Sequence, residues 1–411
     1  MSTLTHAEPG RATAGRPEGR IISGPLALVF LSSFGTLTGF YLLLSVTPRY
    51  AAAAGAGSTG AGLVTGALLL GTVAAELAAT TAMRRYGYRT LLAVGAVLLG
   101  APTLVLLSGG PLAIIVTVSV VRGLGFGLSG VVASALTVRL LPPARRGEGL
   151  GLDGVVDGVP AVVALPAGLW LAGHCGTVVV VAIAAAAALA PLAALPWLPG
   201  VTERRTAQAR GEAGAPAGLL ASLRNGGQRR PSLIFAASTV AAGVVVSFLP
   251  LAAGVSANTA AAGLLAQALT ATVSRWWAGR HGDRHGHARL LVPGLVIATL
   301  GMTAMIWLTS PAALIAGMCL FGTGFGILQN ATLVLMADRM PASGLGTASA
   351  LWNLAYDAGY GAGPAVFGLF AGHTGYPAAF ALTGVLMVAA LPAAWPEHSH
   401  AASAGYRAST T

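Results

Sequence analysis

Six ionisable residues fall inside long apolar stretches: Glu76, Arg122, Asp153, Asp157, Arg275 and Asp357. A charge surrounded by hydrocarbon is expensive unless paired or wetted, so such residues mark proton relays, ion pairs or substrate sites. Asp357 is about fourteen residues into its stretch, roughly 20 Å deep at a helical rise of ~1.5 Å per residue. A carboxyl at that depth that takes up and releases a proton is the first candidate for proton coupling. The competing reading is a permanently hydrogen-bonded packing acid. Asp153 and Asp157 are four residues apart and project from one helical face.

Other chemistries lack their residues. The chain contains no lysine, which removes the phosphate-loop lysine and the Schiff-base lysine. Gly149-Leu150-Gly151-Leu152-Asp153-Gly154 matches the dinucleotide fingerprint letter by letter, but it follows Arg145-Arg146 and opens an apolar helix without a preceding strand. Cys175 and Cys319 have no disulfide or metal spacing. His281, Asp283, His285 and His287 do resemble ligand spacing, yet they belong to a turn element that accounts for them. No nucleophile–base pair or metal triad is visible at bilayer depth, so an enzyme is not expected, nor a cofactor; a proton gradient would supply the energy.

The elements that carry these residues belong in a membrane. Charged residues make up 9% and hydrophobic residues 55%, where a soluble domain has roughly 25% charged residues. Twelve apolar runs approach or exceed the ~20 residues that span hydrocarbon: about 24–47, 60–82, 90–108, 111–139, 148–172, 176–198, 232–253, 258–279, 290–309, 312–337, 343–371 and 376–395. Of 23 arginines, all but Arg49, Arg122 and Arg275 fall in the tails and connections of one side. That bias puts both termini in the cytoplasm and explains the +11 net charge without nucleic acid.

The chain also repeats itself. Arg122-Gly123-Leu124-Gly125-Phe126-Gly127 recurs 199 residues later as Phe321-Gly322-Thr323-Gly324-Phe325-Gly326, and Pro142 recurs as Pro341. Arg84-Arg85-Tyr86-Gly87 answers Asp283-Arg284-His285-Gly286 at the same offset. The expected fold is therefore all-α, with twelve transmembrane helices in two pseudo-symmetric six-helix bundles. The expected organisation is a tail at 1–23, a bundle at 24–198, a linker at 199–231, a bundle at 232–395 and a tail at 396–411. Within the linker, Leu219-Leu220 to Leu223-Arg224 reads as a mobile segment or as a piece lying on the membrane surface. Two similar halves in a membrane chain usually enclose a transport site. Glycines and prolines repeat while charges do not: Arg84 answers Asp283, and Glu76 answers Arg275.

These features resemble the major facilitator superfamily. Its Gly-x-x-x-Asp-Arg-x-Gly element stands complete at Gly279 to Asp283-Arg284-His285-Gly286; in the first half Thr80 and Arg84 replace the first Gly and the Asp. Pro142 to Arg145-Arg146-Gly147 and the Arg122 to Gly127 element also look like this family, and Trp352-Asn353-Leu354-Ala355-Tyr356-Asp357 through Gly363-Pro364 resembles its bacterial proton-coupled efflux members. The resemblance implies a monomeric secondary transporter of the bacterial inner membrane that moves a hydrophobic or amphipathic small molecule against protons. The alternatives are a proton-linked importer of a metabolite or sugar, and a non-transporting membrane sensor.

Site residues follow from it. Arg122 joins Asp357 and, at lower weight, Glu76 as coupling candidates. Because helices five and eight flank each other in this family, Asp153 or Asp157 would bridge to Arg275 and close the cytoplasmic side. Gly279, Gly282 and Gly286 would turn the chain sharply, Asp283 pairing with a helix N-terminus or an adjacent arginine such as Arg284. Helices one, four, seven and ten would offer Phe40, Tyr41, Phe248, Phe321, Phe325, Gln329 and Asn330 to a substrate.

Overall fold

Serine caps the starts of three helices, at Ser23, Ser256 and Ser310, and glycine marks sharp breaks between others, at Gly87, Gly176, Gly286 and Gly375. Ser23 accepts a hydrogen bond from the Leu26 amide (3.4 Å) and Ser256 from that of Thr259 (3.1 Å), satisfying donors that a first turn leaves free. Pro311 occupies the first turn of its helix behind Ser310, where its missing N–H costs nothing. Every left-handed residue described is a glycine, and three pairs of them, Gly55/Gly254, Gly87/Gly286 and Gly176/Gly375, stand 199 residues apart. The repeat therefore extends to the backbone turns.

This computed structural model describes residues 22–141, 146–198, 224, 226–252, 254–340 and 345–395, without side chains at 146–151, 345 and 346. The tails at 1–21 and 396–411, the linker residues 199–223 and 225, and Pro142, Arg145 and Pro341 lie outside the described residues, as does all of the proposed surface piece except Arg224.

Twelve long helices form the described chain: α1 Gly24–Leu44, α2 Gly57–Tyr86, α3 Tyr88–Gly100, α4 Leu112–Leu140, α5 Arg146–His174, α6 Thr177–Leu189, α7 Gly226–Phe248, α8 Ala257–His285, α9 Leu291–Ala304, α10 Pro311–Asp338, α11 Leu345–Thr374 and α12 Tyr376–Ala389. Short helical pieces extend several of them, and no strand occurs among the described residues. Among the described residues nine stretches are long and apolar enough to cross a membrane, the first of them, Gly24–Tyr86, covering α1 and α2. The helices outside those stretches, α8 and α11, carry Arg275 and Asp357. Polar content lowers their hydropathy because part of each faces the interior.

Two helix ends differ from expectation. Helix α7 begins at Gly226, six residues before the apolar run, because Gln228 donates to the Met336 carbonyl (3.0 Å) and holds the polar turn against α10. Helix α8 continues through Gly279 and Gly282 to His285. The anticipated sharp turn therefore sits at Gly286 alone (φ 91°). Gly282 serves instead as a gap for the ring of His287, which a Cβ there would meet at 2.3 Å.

The glycine-rich repeats set the packing within each half. A Cβ on Gly123 would lie 1.8 Å from the Leu68 carbonyl oxygen, and one on Gly322 would lie 2.3 Å from that of Gln267. Helix α4 thus seats directly on α2, and α10 on α8. Small residues allow this approach where lipid gives no hydrophobic drive to helix association. The halves meet along α2 with α11 and along α5 with α8. At the end where α2 starts, Ser58 and Thr59 donate to the Gly368 carbonyl (3.0 and 3.3 Å). One turn and a half further in, Thr65 and Ser247 share a hydrogen bond of 2.9 Å.

Candidate functional site

Further along the same α2/α11 contact, the carboxyls of Glu76 and Asp357 come within hydrogen-bonding reach of each other. Asp357 is buried and Glu76 half-buried. A carboxylate has no donor, so a bond between them exists only while one proton is held between the two groups. Glu76 and Asp357 come from opposite halves, which makes the proton part of the interface.

The pseudo-symmetric contact, α5 with α8, holds Asp157 and Arg275 instead. Arg275 stands 199 residues after Glu76, and Asp357 falls 199 after Gly158, next to Asp157. Equivalent places thus carry an acid–acid pair on one side of the molecule and an acid–base pair on the other. Asp157 and Arg275 are within electrostatic reach, yet both are exposed, and among the described residues no ion pair joins them. Asp153, the alternative partner, accepts a hydrogen bond from Thr137 of α4 (3.3 Å), so the structure directs it away from Arg275. Cysteines at Asp157 and Arg275, introduced after replacing Cys175 and Cys319, are expected to crosslink in one transport state and not in the other. Absence of a crosslink in every state would remove the pairing.

Between the two pairs stand three tyrosines. Tyr41 of α1 is within electrostatic reach of Asp157, Asp357 and Arg275. Tyr356 and Tyr360 of α11 are within reach of Tyr41 and Asp357, their rings stacked 5.6 Å apart. Tyr41 had been singled out as a cavity residue. Tyr356 and Tyr360 had not, although their spacing of one turn around Asp357 was a usable signal. Their hydroxyls add polar groups between the two pairs in an otherwise apolar contact.

The remaining candidates are placed differently. Arg122 is 1% exposed. Its Nη2 donates to the Gly39 carbonyl at 3.4 Å, and its Nε has no partner. It stands apart from both interface pairs, so the structure does not unite it with Asp357. Phe40 stacks on Phe126 with ring centroids 3.7 Å apart. Phe248 is fully buried against Phe367 and Tyr376, a packing role in this conformation rather than a cavity wall. Phe321 and Phe325 are buried in an aromatic stack that continues through Phe235 to Trp352. Gln329 and Asn330 are half-buried on α10, and Asn330 faces Gly279 of α8. Asp283 is exposed and lies 3.7 Å from His287 of its own turn, in place of the anticipated helix N-terminus or arginine. Arg284 beside it is exposed.

Two helical halves that meet on ionisable pairs, with apolar surfaces outside, fit a membrane transporter rather than an enzyme. The chain belongs to the Major Facilitator Superfamily, whose family model matches residues 29–364 and 232–407. It is 30% identical over 125 residues to a tetracenomycin C resistance and export protein of Streptomyces glaucescens, a match covering 30% of this chain and 23% of that protein. It is also 30% identical over 120 residues to a multi-drug resistance efflux pump PmrA homolog of Lactococcus lactis subsp. lactis (strain IL1403), covering 29% and 30% of the two chains. Both matches span less than a third of the relative. Among solved structures, a D-xylose-proton symporter superposes with a TM-score of 0.73 at 16% identity, covering 90% of this chain and 96% of that one. The nucleoside transporter NupG gives 0.72 at 12% identity, covering 91% and 99%. At such identities these structures share the fold alone.

Proposed function

We propose that this chain exports a hydrophobic or amphipathic small molecule in exchange for protons. The observation that carries the proton part is the Glu76–Asp357 carboxyl pair, one from each half and close enough to share one proton. Export is supported by the names of the two partial relatives and by the aromatic character of α1, α7, α10 and α11 near the three tyrosines. The arginine bias supports cytoplasmic termini, and the organisms of the two partial relatives support a bacterial cell membrane.

The two interface pairs give the alternation a physical form. Losing the shared proton sets two negative charges against each other and loosens α2 from α11. The Asp157–Arg275 pair attracts without a proton and closes α5 on α8. Substrate would pass between them, along Tyr41, Tyr356 and Tyr360. In an efflux-deficient host, expression is expected to lower accumulation of amphipathic dyes, and a proton uncoupler to abolish that effect. Uncoupler-sensitive uptake of a sugar or metabolite, with no change in dye accumulation, would instead establish the importer.

A further inference from the structure

Six of the seven tryptophans are exposed, and they sort to two levels. Consecutive helices run in opposite directions, so Trp197 after α6, Trp276 and Trp277 near the end of α8, and Trp395 beyond α12 share one end of the molecule. Trp170 near the end of α5 and Trp307 after α9 share the other. Such belts mark the membrane–water boundaries. On α8 the outward stripe reads Leu265, Leu269 and Val273, all exposed, then Trp276 and Trp277, then Arg280 and Arg284. At ~1.5 Å per residue the Cα atoms of Arg280 and Arg284 lie about 6 and 12 Å beyond that of Trp276, on the water side of the aromatic level.

This end of α8 is organised rather than merely charged. Arg280 lies over the Trp276 ring, 4.1 Å from its centroid. Trp277, His281 and His285 stack in a neighbouring row with centroids 4.7 and 4.2 Å apart. Among the described residues neither Arg280 nor Arg284 has a carboxylate partner, since Asp283 faces His287. Two arginines one turn apart, one fixed by an aromatic ring, match a phosphodiester between them. We propose that this face of α8 binds the headgroup of an anionic phospholipid, with Trp276 and Trp277 against its acyl chains. The site stands on exposed residues away from the transport path and does not depend on what the protein exports.

The test is native mass spectrometry of the full chain in neutral detergent, titrated with phosphatidylglycerol and with phosphatidylcholine. The unaltered protein is expected to retain phosphatidylglycerol preferentially. R280Q/R284Q is expected to weaken that retention about fivefold for each guanidinium removed, while R49Q, a charge change in the connection after α1, leaves it unchanged. No preference in the unaltered protein, retained preference in R280Q/R284Q, or an equal loss in R49Q would each overturn the site.

Discussion

Asp357→Asn is expected to reduce proton-driven transport by about 10- to 100-fold, the worth of one hydrogen bond to a charged group. Asparagine keeps the shape and donates permanently, so it imitates the protonated pair and holds α2 on α11 at every pH. Glu76→Gln should act in the same way. The double variant should be little worse than either, because the two groups share one interaction. In the unaltered chain, acid favours the bridged arrangement and alkali opposes it, as the bond needs a proton and two carboxylates repel. The ionisable groups facing the pair are Tyr41, Tyr356 and Tyr360, with Arg275 and Asp157 beyond them. Counterflow and proton-driven flux in proteoliposomes, each measured across pH, separate these outcomes. Unaltered flux with unaltered pH dependence in Asp357→Asn would show that the proton is carried elsewhere.

The second large effect separates two uses of glycine. A Cβ at Gly62 would lie 2.1 Å from the Pro364 carbonyl oxygen across the α2/α11 interface. One at Gly123 would lie 1.8 Å from that of Leu68, inside a single half. Both contacts are to backbone, and relieving such overlap costs about 1–3 kcal/mol. The consequences differ because only the first contact has to open during transport. Gly62→Ala is expected to shift the population about 10- to 100-fold toward the state with the start of α2 drawn apart from α11, with little loss of thermal stability. Gly123→Ala is expected to lower the melting temperature and leave the conformational balance alone. Cysteines at Ser58 and Gly372 report the first through crosslinking yield, and thermal unfolding reports the second. Equal melting losses with unchanged crosslinking would contradict the distinction.

The sequence determined the class of molecule and the positions of its helices. Apolar runs have to span hydrocarbon as helices because no water is present to satisfy exposed backbone, and this constraint is local enough to read residue by residue. The 199-residue offset was equally legible, and it reappears in the left-handed glycines Gly87 and Gly286. The family element around Asp283 was recognised, but its geometry was misread. Glycine permits a turn without requiring one, and Gly279 and Gly282 remain helical.

Which charges face each other emerges only when the helices of the two halves pack. The sequence ranked Asp357 first and placed Glu76 lower, and nothing in their spacing of 281 residues could reveal that they meet. Arg122 looked equivalent to them and stands elsewhere, against Gly39. Asp153 and Asp157 share a helical face, yet Thr137 engages one while the other faces Arg275. Partner choice depends on the rotation and depth of helices from different halves, which are set by glycine contacts such as Gly62 on Pro364. Periodicity fixes a helix and its faces; the neighbour that a face meets is settled when the halves pack.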